Sequence, residues 1–156
     1  MTNRLLDEIK QTRPFGSLEE EVLLGVARTS DVLQRRVGEV LKTAALTLTQ
    51  YNVLRILRGA GAAGLSCSEV TSRMITKDPD MTRMLDRLEA RQLVTRAREA
   101  TDRRVVTTRI TEEGLALLAS LDGPVEEHQR RILGPLGDEK LRALASLLDE
   151  ARAASG

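Results

Sequence analysis

Aromatic side chains are nearly missing from this chain: Phe15 and Tyr51 are the only two in 156 residues, and tryptophan is absent. Any core is therefore built from Leu, Val, Ile, Met and Ala, which favours packed helices over a β-sandwich. A single cysteine, Cys67, excludes an internal disulfide, and a single histidine, His128, excludes the usual structural zinc spacings. No metal or other cofactor is expected. The first residues carry no signal-like apolar stretch, and no run approaches the roughly 20 apolar residues of a membrane helix. The expectation is a cytoplasmic protein with no membrane partner. Also missing are a glycine-rich phosphate loop, a metal cluster and a cysteine–histidine pair at a meaningful spacing, so the chain is not expected to be an enzyme. With 41% hydrophobic and 30% charged residues, its length suits one compact domain or one domain with helical extensions.

The net charge of +1 favours no class of partner, but its distribution does. Residues 73–109 hold ten Lys/Arg against six Asp/Glu, leaving 14 basic and 17 acidic residues elsewhere. The middle of the chain is thus the candidate contact for a polyanion.

Helix starts punctuate the sequence. Residues 1–16 end in the breaker cluster Pro14-Phe15-Gly16 and read as an arm or short helix. Ser17-Leu18-Glu19-Glu20 has the form of a capping box and opens a long helix. Its apolar positions Leu18, Val22, Val26, Leu33, Val37 and Leu41 share a face for burial. Thr47-Leu48-Thr49-Gln50 opens a second helix and Ser66-Cys67-Ser68-Glu69 a short third one reaching about Met74. Asp78-Pro79 reads as a fourth start, with Asp as cap and Pro in the first turn, followed by the stripe Met81, Leu85 and Leu88 up to about Arg91. From Leu93 the period changes. Residues 93–98 and 105–110 are β-branched runs around the charged tip 99–104, a β-hairpin pattern. Thr111-Glu112-Glu113 caps a further helix carrying Leu115, Leu118 and Leu121, which is expected to kink or break at Gly123-Pro124. A last helix from Asp138 has Leu141, Leu144 and Leu148 on a face too apolar to stay in water.

The fold class that follows is mainly α with a small β-hairpin, in the order of a winged helix-turn-helix. The stretches LTLTQYNVLRIL, LSCSEVTSRM and DPDMTRMLDRLEARQLVTRAREATDRRVVTTRITEEG resemble the MarR family of bacterial transcriptional regulators, over roughly residues 17–153. The most specific part is Asp102-Arg103-Arg104, followed by Ile110-Thr111-Glu112-Glu113-Gly114 behind the TRMLDRLE helix. The resemblance implies a homodimer whose terminal helices intertwine, residues 1–45 and 113–156, while residues 46–112 of each copy bind double-stranded DNA. Two-fold symmetry then implies a palindromic operator with half-sites about 10 base pairs apart. It also implies release by a small aromatic or lipophilic effector. The sequence departs from the family pattern at Gln92, where glycine is usual before Leu93-Val94, and at Gly137, where a Ser-type cap is common.

At about 100° per residue, an inward stripe of Met81, Leu85 and Leu88 turns Pro79, Arg83 and Asp86 outward. Arg83 suits a bidentate guanine contact and Thr82 a base or phosphate. Lys77 and Arg87 suit phosphates, and Asp80 suits a cytosine amino group. In the hairpin, Arg103 and Arg104 are placed for the minor groove, with Arg96 and Arg98 on one strand face suited to phosphates. The family pattern favours Arg104 as the inserted residue and gives Asp102 the part of orienting it. Val40, Ala44, Tyr51, Leu54 and Leu118 are the candidate lining of an effector cavity, or else ordinary core. Two alternatives stay open: a redox-sensing regulator acting through Cys67, and a winged-helix module that binds protein instead of DNA. His128 is expected on a polar helix face beside Glu126, Glu127 and Gln129.

Overall fold

The computed structural model describes residues 4–77 and 80–156. The chain divides into two compact units, residues 1–36 and 37–156.

The first unit holds a short helix, α1 (Arg4–Glu8), and the greater part of a 24-residue helix, α2 (Leu18–Leu41). The Ser17 hydroxyl accepts the Glu20 amide at 3.1 Å, while the Glu20 carboxylate accepts from Gly16 N–H at 2.6 Å, one residue earlier than a strict capping box. Glu8 receives hydrogen bonds from Arg4 at 3.0 Å and Arg28 at 3.5 Å, tying α1 to α2, and Asp31 pairs with Arg35. Of the face expected to be buried, Leu18 (71%), Val22 and Val26 are exposed and Leu33 is half-buried along this stretch; off that face, Leu23 (70%) and Val32 are exposed as well.

The second unit begins with the buried end of α2 at Leu41. Beyond it, Ala45 takes a left-handed φ of 50°, with Leu46 N–H bonding Leu41 O at 3.2 Å and Ala45 N–H bonding Lys42 O at 3.0 Å. Next come α3 (Leu48–Ala60), β1 (Leu65–Ser66), α4 (Cys67–Arg73), α5 (Met81–Ala90), β2 (Val94–Arg98), β3 (Val106–Ile110), α6 (Glu112–Leu133) and α7 (Asp138–Ala154). The boxes at Thr47/Gln50 and Ser66/Glu69 close reciprocally, as their spacing predicts. Leu41, Val53, Leu54, Leu57, Val70, Leu85, Leu88, Val94 and Leu118 form the fully buried centre.

The sheet runs β1-β3-β2, all antiparallel, with Val94 opposite Ile110 and Arg98 opposite Val106. The two-residue β1 pairs Leu65 with Thr108 and Ser66 with Thr107. Gly64 makes that approach possible. At φ 68°, a Cβ there would lie 2.6 Å from the Thr108 carbonyl oxygen.

Three expectations need correction. Asp78 and Pro79 lie outside the described residues, and α5 begins at Met81 with Asp80 in the cap position and no side-chain cap bond. The helix does not break at Gly123-Pro124 but runs from Glu112 to Leu133 with Pro124 inside it. His128 is half-buried, three residues beyond Val125 on the stripe of Leu118 and Leu121, and its Nε2 is buried without a hydrogen-bond partner among the described residues. Proximity in sequence to Glu126 and Glu127 misled there, because neighbours along a helix point to different faces. In α7 no residue is buried, and Leu147 is 62% exposed.

The link from α5 to β2 governs how the hairpin is set. Leu93 N–H bonds Leu88 O at 3.0 Å and Gln92 N–H bonds Glu89 O at 2.8 Å, the two bonds of a Schellman motif. That motif requires a left-handed residue, and Gln92 supplies it at φ 59°. Thr111 locks the turn: its hydroxyl donates to Gln92 O at 2.7 Å and its amide to Leu93 O at 3.0 Å. The same hydroxyl accepts Gly114 N–H at 3.0 Å, which caps α6. A Cβ on Gly114 would sit 2.4 Å from the Leu93 carbonyl oxygen and 2.7 Å from Ile110. Two substitutions in this junction should therefore act in opposite directions in thermal unfolding. Gly114→Ala should lose roughly 2–3 kcal/mol through overpacking against rigid backbone. Gln92→Gly should gain about 1 kcal/mol, a rise of about 2–4 °C in Tm, by relieving left-handed strain.

Candidate nucleic-acid interface

The inward stripe of α5 is Met81, Leu85 and Leu88, all buried, which turns Thr82, Arg83, Asp86 and Arg87 to solvent. Arg83 reaches back to Asp80, 3.3 Å away, so its guanidinium stays near the helix N-terminus. Lys77 is exposed in the segment between α4 and α5. Ile75, in the same segment, is 81% exposed.

The hairpin is fastened to this helix by Arg96 on β2. Its Nε donates to Glu89 at 3.0 Å and its Nη2 donates to Glu89 at 2.6 Å and to Asp86 at 2.5 Å. The Arg96 amide adds a contact to Glu89 at 3.3 Å. The Arg96 side chain is 22% exposed, and the Glu89 hydrogen bond, followed in size by the burial that opposes it, sets a net upward shift of its pKa. The expectation of a phosphate contact on the β2 face is thus met by a group already occupied with two carboxylates.

At the tip, Val105 N–H bonds Asp102 O at 3.0 Å and Arg104 N–H bonds the Asp102 carboxylate at 3.0 Å, an Asx-type turn. Asp102 therefore acts on Arg104 through the backbone and not through its guanidinium. Arg98 donates to Arg103 O at 2.8 Å and braces the tip from the strand side. Arg87, Arg103 and Arg104 are exposed, and their guanidinium groups make no ion pair among the described residues.

Two structural cations went unrecognised in the sequence. Arg91 donates to Ala45 O at 2.8 Å and Ala44 O at 3.0 Å, bracing the left-handed turn after α2. Arg109 donates to Ala62 O at 2.9 Å and pairs with Glu99 at 3.2 Å. Their partners lie 46 or 47 positions away for the carbonyls, beyond any periodicity. A further ion pair, Arg58 with Asp122 at 2.8 Å, links α3 to α6.

The five expected cavity residues fall in one apolar cluster: Tyr51, Leu54 and Leu118 are buried, with Val40 and Ala44 packed against them. The Arg55 guanidinium lies 5.8 Å from the centre of the Tyr51 ring. Cys67 is half-buried against the same core at the first position of α4. No cluster of side chains suited to a metal, and no helix long and apolar enough to cross a membrane, occurs among the described residues.

Glu99 is held below the ordinary glutamate value by a hydrogen bond from Thr107, then by Arg109. Its depressed pKa stabilises the hairpin above the unfolded value of about 4.5, and that contribution is lost as pH falls through the lower folded value. An NMR titration should place the Glu99 midpoint below 4.5, with Thr107→Val and Arg109→Ala each raising it. A midpoint unmoved by either variant would contradict this assignment.

Comparison with known proteins places this geometry in context. A family model described as the MarR family matches residues 46–106. The homoprotocatechuate degradative operon repressor of Escherichia coli is 31% identical over 133 residues, covering 85% of this chain and 88% of the relative. The transcriptional repressor CouR, solved bound to a 23-mer DNA duplex, superimposes with a TM-score of 0.79 at 27% identity, covering 91% of this chain and 99% of that one. NadR, solved with 4-hydroxyphenylacetate, gives a TM-score of 0.71 at 27% identity over 86% of this chain and 96% of that one.

Proposed function

The chain belongs to the MarR family of transcriptional regulators, and from that membership we propose a homodimeric repressor that binds a palindromic operator and leaves it when a small aromatic or lipophilic molecule binds. The observation that carries the DNA part is the pairing of the exposed Thr82, Arg83 and Arg87 on α5 with the Arg103-Arg104 tip on one fastened hairpin. A helix presenting arginine suits the major groove, and a protruding arginine turn suits the narrow, electronegative minor groove. Arg83 takes a guanine edge, steadied by Asp80. Thr82 takes a base or phosphate, Lys77 and Arg87 take phosphates, and Arg104 enters the minor groove beside Arg103, with Asp102 and Arg98 holding the tip. CouR on its DNA duplex supports this reading.

Residues 46–112 form the DNA-binding part, and the segments 1–45 and 113–156 form the dimer. The apolar side chains left open on α2 and α7 support a second copy as their cover, because a helix face that is too apolar is buried by association. The effector lies against the cluster of Val40, Ala44, Tyr51, Leu54 and Leu118, where the Tyr51 ring and the Arg55 guanidinium suit an aromatic anion. NadR with 4-hydroxyphenylacetate supports that chemistry. A repressor of this kind works in the cytoplasm, where its operator is.

Arg104→Ala should weaken operator binding about tenfold or more while leaving the dimer intact in sedimentation. Arg83→Ala should relax sequence preference by about 1–3 kcal/mol at one base-pair position, read by competition between operator and scrambled duplexes. Unchanged affinity of the Arg104 variant would remove the hairpin from the mechanism, and a uniform loss with the Arg83 variant would make that residue a phosphate contact.

A further inference from the structure

The helix that would enter the groove carries as many carboxylates as arginines. Over Met81–Ala90 it carries Asp86 and Glu89 against Arg83 and Arg87, two negative charges and two positive, with Asp80 before it. Asp86 stands on the outward face with its side chain 56% exposed, and Glu89 is 40% exposed beside it. On a helix that enters a groove, carboxylates repel phosphates lying within the roughly 8–10 Å over which charges act at ordinary salt. Left unpaired, they would repel what the arginines attract.

Arg96 meets both of them. Its guanidinium spans the Glu89 and Asp86 carboxylates at 2.5–3.0 Å, approaching from β2 and not from the helix itself. An arginine suits the position because its planar fork donates to two acceptors at once and keeps its charge at every working pH. We propose that Arg96 is a positioning residue for DNA binding, which fixes α5 against the hairpin through the Asp86 and Glu89 carboxylates and offsets part of their charge, and is not itself a phosphate contact. The proposal rests on the DNA-binding reading and adds the reason that a helix carrying two carboxylates can serve it. Asp80, the third carboxylate, is paired in the same sense by Arg83.

The test is a coupling measurement on a random-sequence duplex at low salt, where electrostatics dominates. Fluorescence anisotropy compares the wild type, Arg96→Met, Asp86→Asn with Glu89→Gln, and the triple variant, with thermal unfolding recorded for each. Arg96→Met should bind about tenfold more weakly, because two like charges are uncovered at the contact. The Asp86→Asn, Glu89→Gln pair loses the same fastening and should bind more weakly than wild type, though less so than Arg96→Met, because its own repulsion of the phosphates is gone. Adding Arg96→Met to that pair should change affinity by less than about threefold, since the fastening it would break is already lost. The proposal is overturned if Arg96→Met costs the same in both backgrounds, the signature of a phosphate contact, or if it costs nothing in either. Should Arg96→Met alone fail to fold, the comparison of the pair with the triple variant still decides. Absence of wild-type binding to any duplex would overturn the DNA-binding reading as well, which the other outcomes leave standing.

Discussion

Three hydrogen bonds made by Thr111 tie together the end of α5, the base of the hairpin and the start of α6. The bond to Gln92 O stabilises a left-handed turn that glutamine would not choose, and the bond to Leu93 O closes the hairpin where Val94 faces Ile110. The third caps the helix that carries Leu118, Leu121 and Val125 into the core. Because one residue serves three elements, the hairpin cannot tilt without opening the cap of α6 or the turn after α5. Gly114 completes the junction by its lack of a side chain, which lets the first turn of α6 approach the Leu93 carbonyl. The spacing between helix and hairpin tip, on which the proposed reading of two grooves depends, is set here.

The basic stretch from 73 to 109 resolves into two populations. Arg91, Arg96 and Arg109 are spent inside the molecule, on backbone carbonyls and carboxylates, and Arg98 braces the tip. Arg87, Arg103 and Arg104 are left exposed at the surface that faces away from the core. Excess charge in a segment therefore overstates the charge available to a partner. Geometry decides which arginines are scaffold and which are presented, and the scaffold set holds the presented set in place.

Much of this was readable along the chain because it depends on local chemistry. Capping boxes, the Met81-Leu85-Leu88 stripe and the alternation of the hairpin are encoded within a few residues of one another. Even the departure at Gln92 was informative: a position that demands left-handed backbone keeps that geometry at φ 59° when glycine is replaced. What escaped depends on partners distant in sequence. β1 is two residues long, too short for any alternation to show, and exists only because Thr107 and Thr108 complete it. The pairing of Arg96 with α5 required knowing that β2 folds back beside the helix. His128 stood among charged neighbours, and its place on the buried stripe followed from helical phase. The path of α6 through Pro124 likewise follows from the context of a long packed helix, not from the residue alone.

The open apolar side chains of α2 and α7 and the arginines of α5 and the hairpin belong to one account, in which pairing of two copies presents two reading heads to a palindrome. The most direct test is fluorescence anisotropy of the purified protein against the DNA upstream of its own gene and a scrambled duplex, across a salt series. The account predicts preference for the upstream duplex with a steep salt slope, since several phosphates are contacted in each half-site. No binding to either duplex at low salt would contradict it.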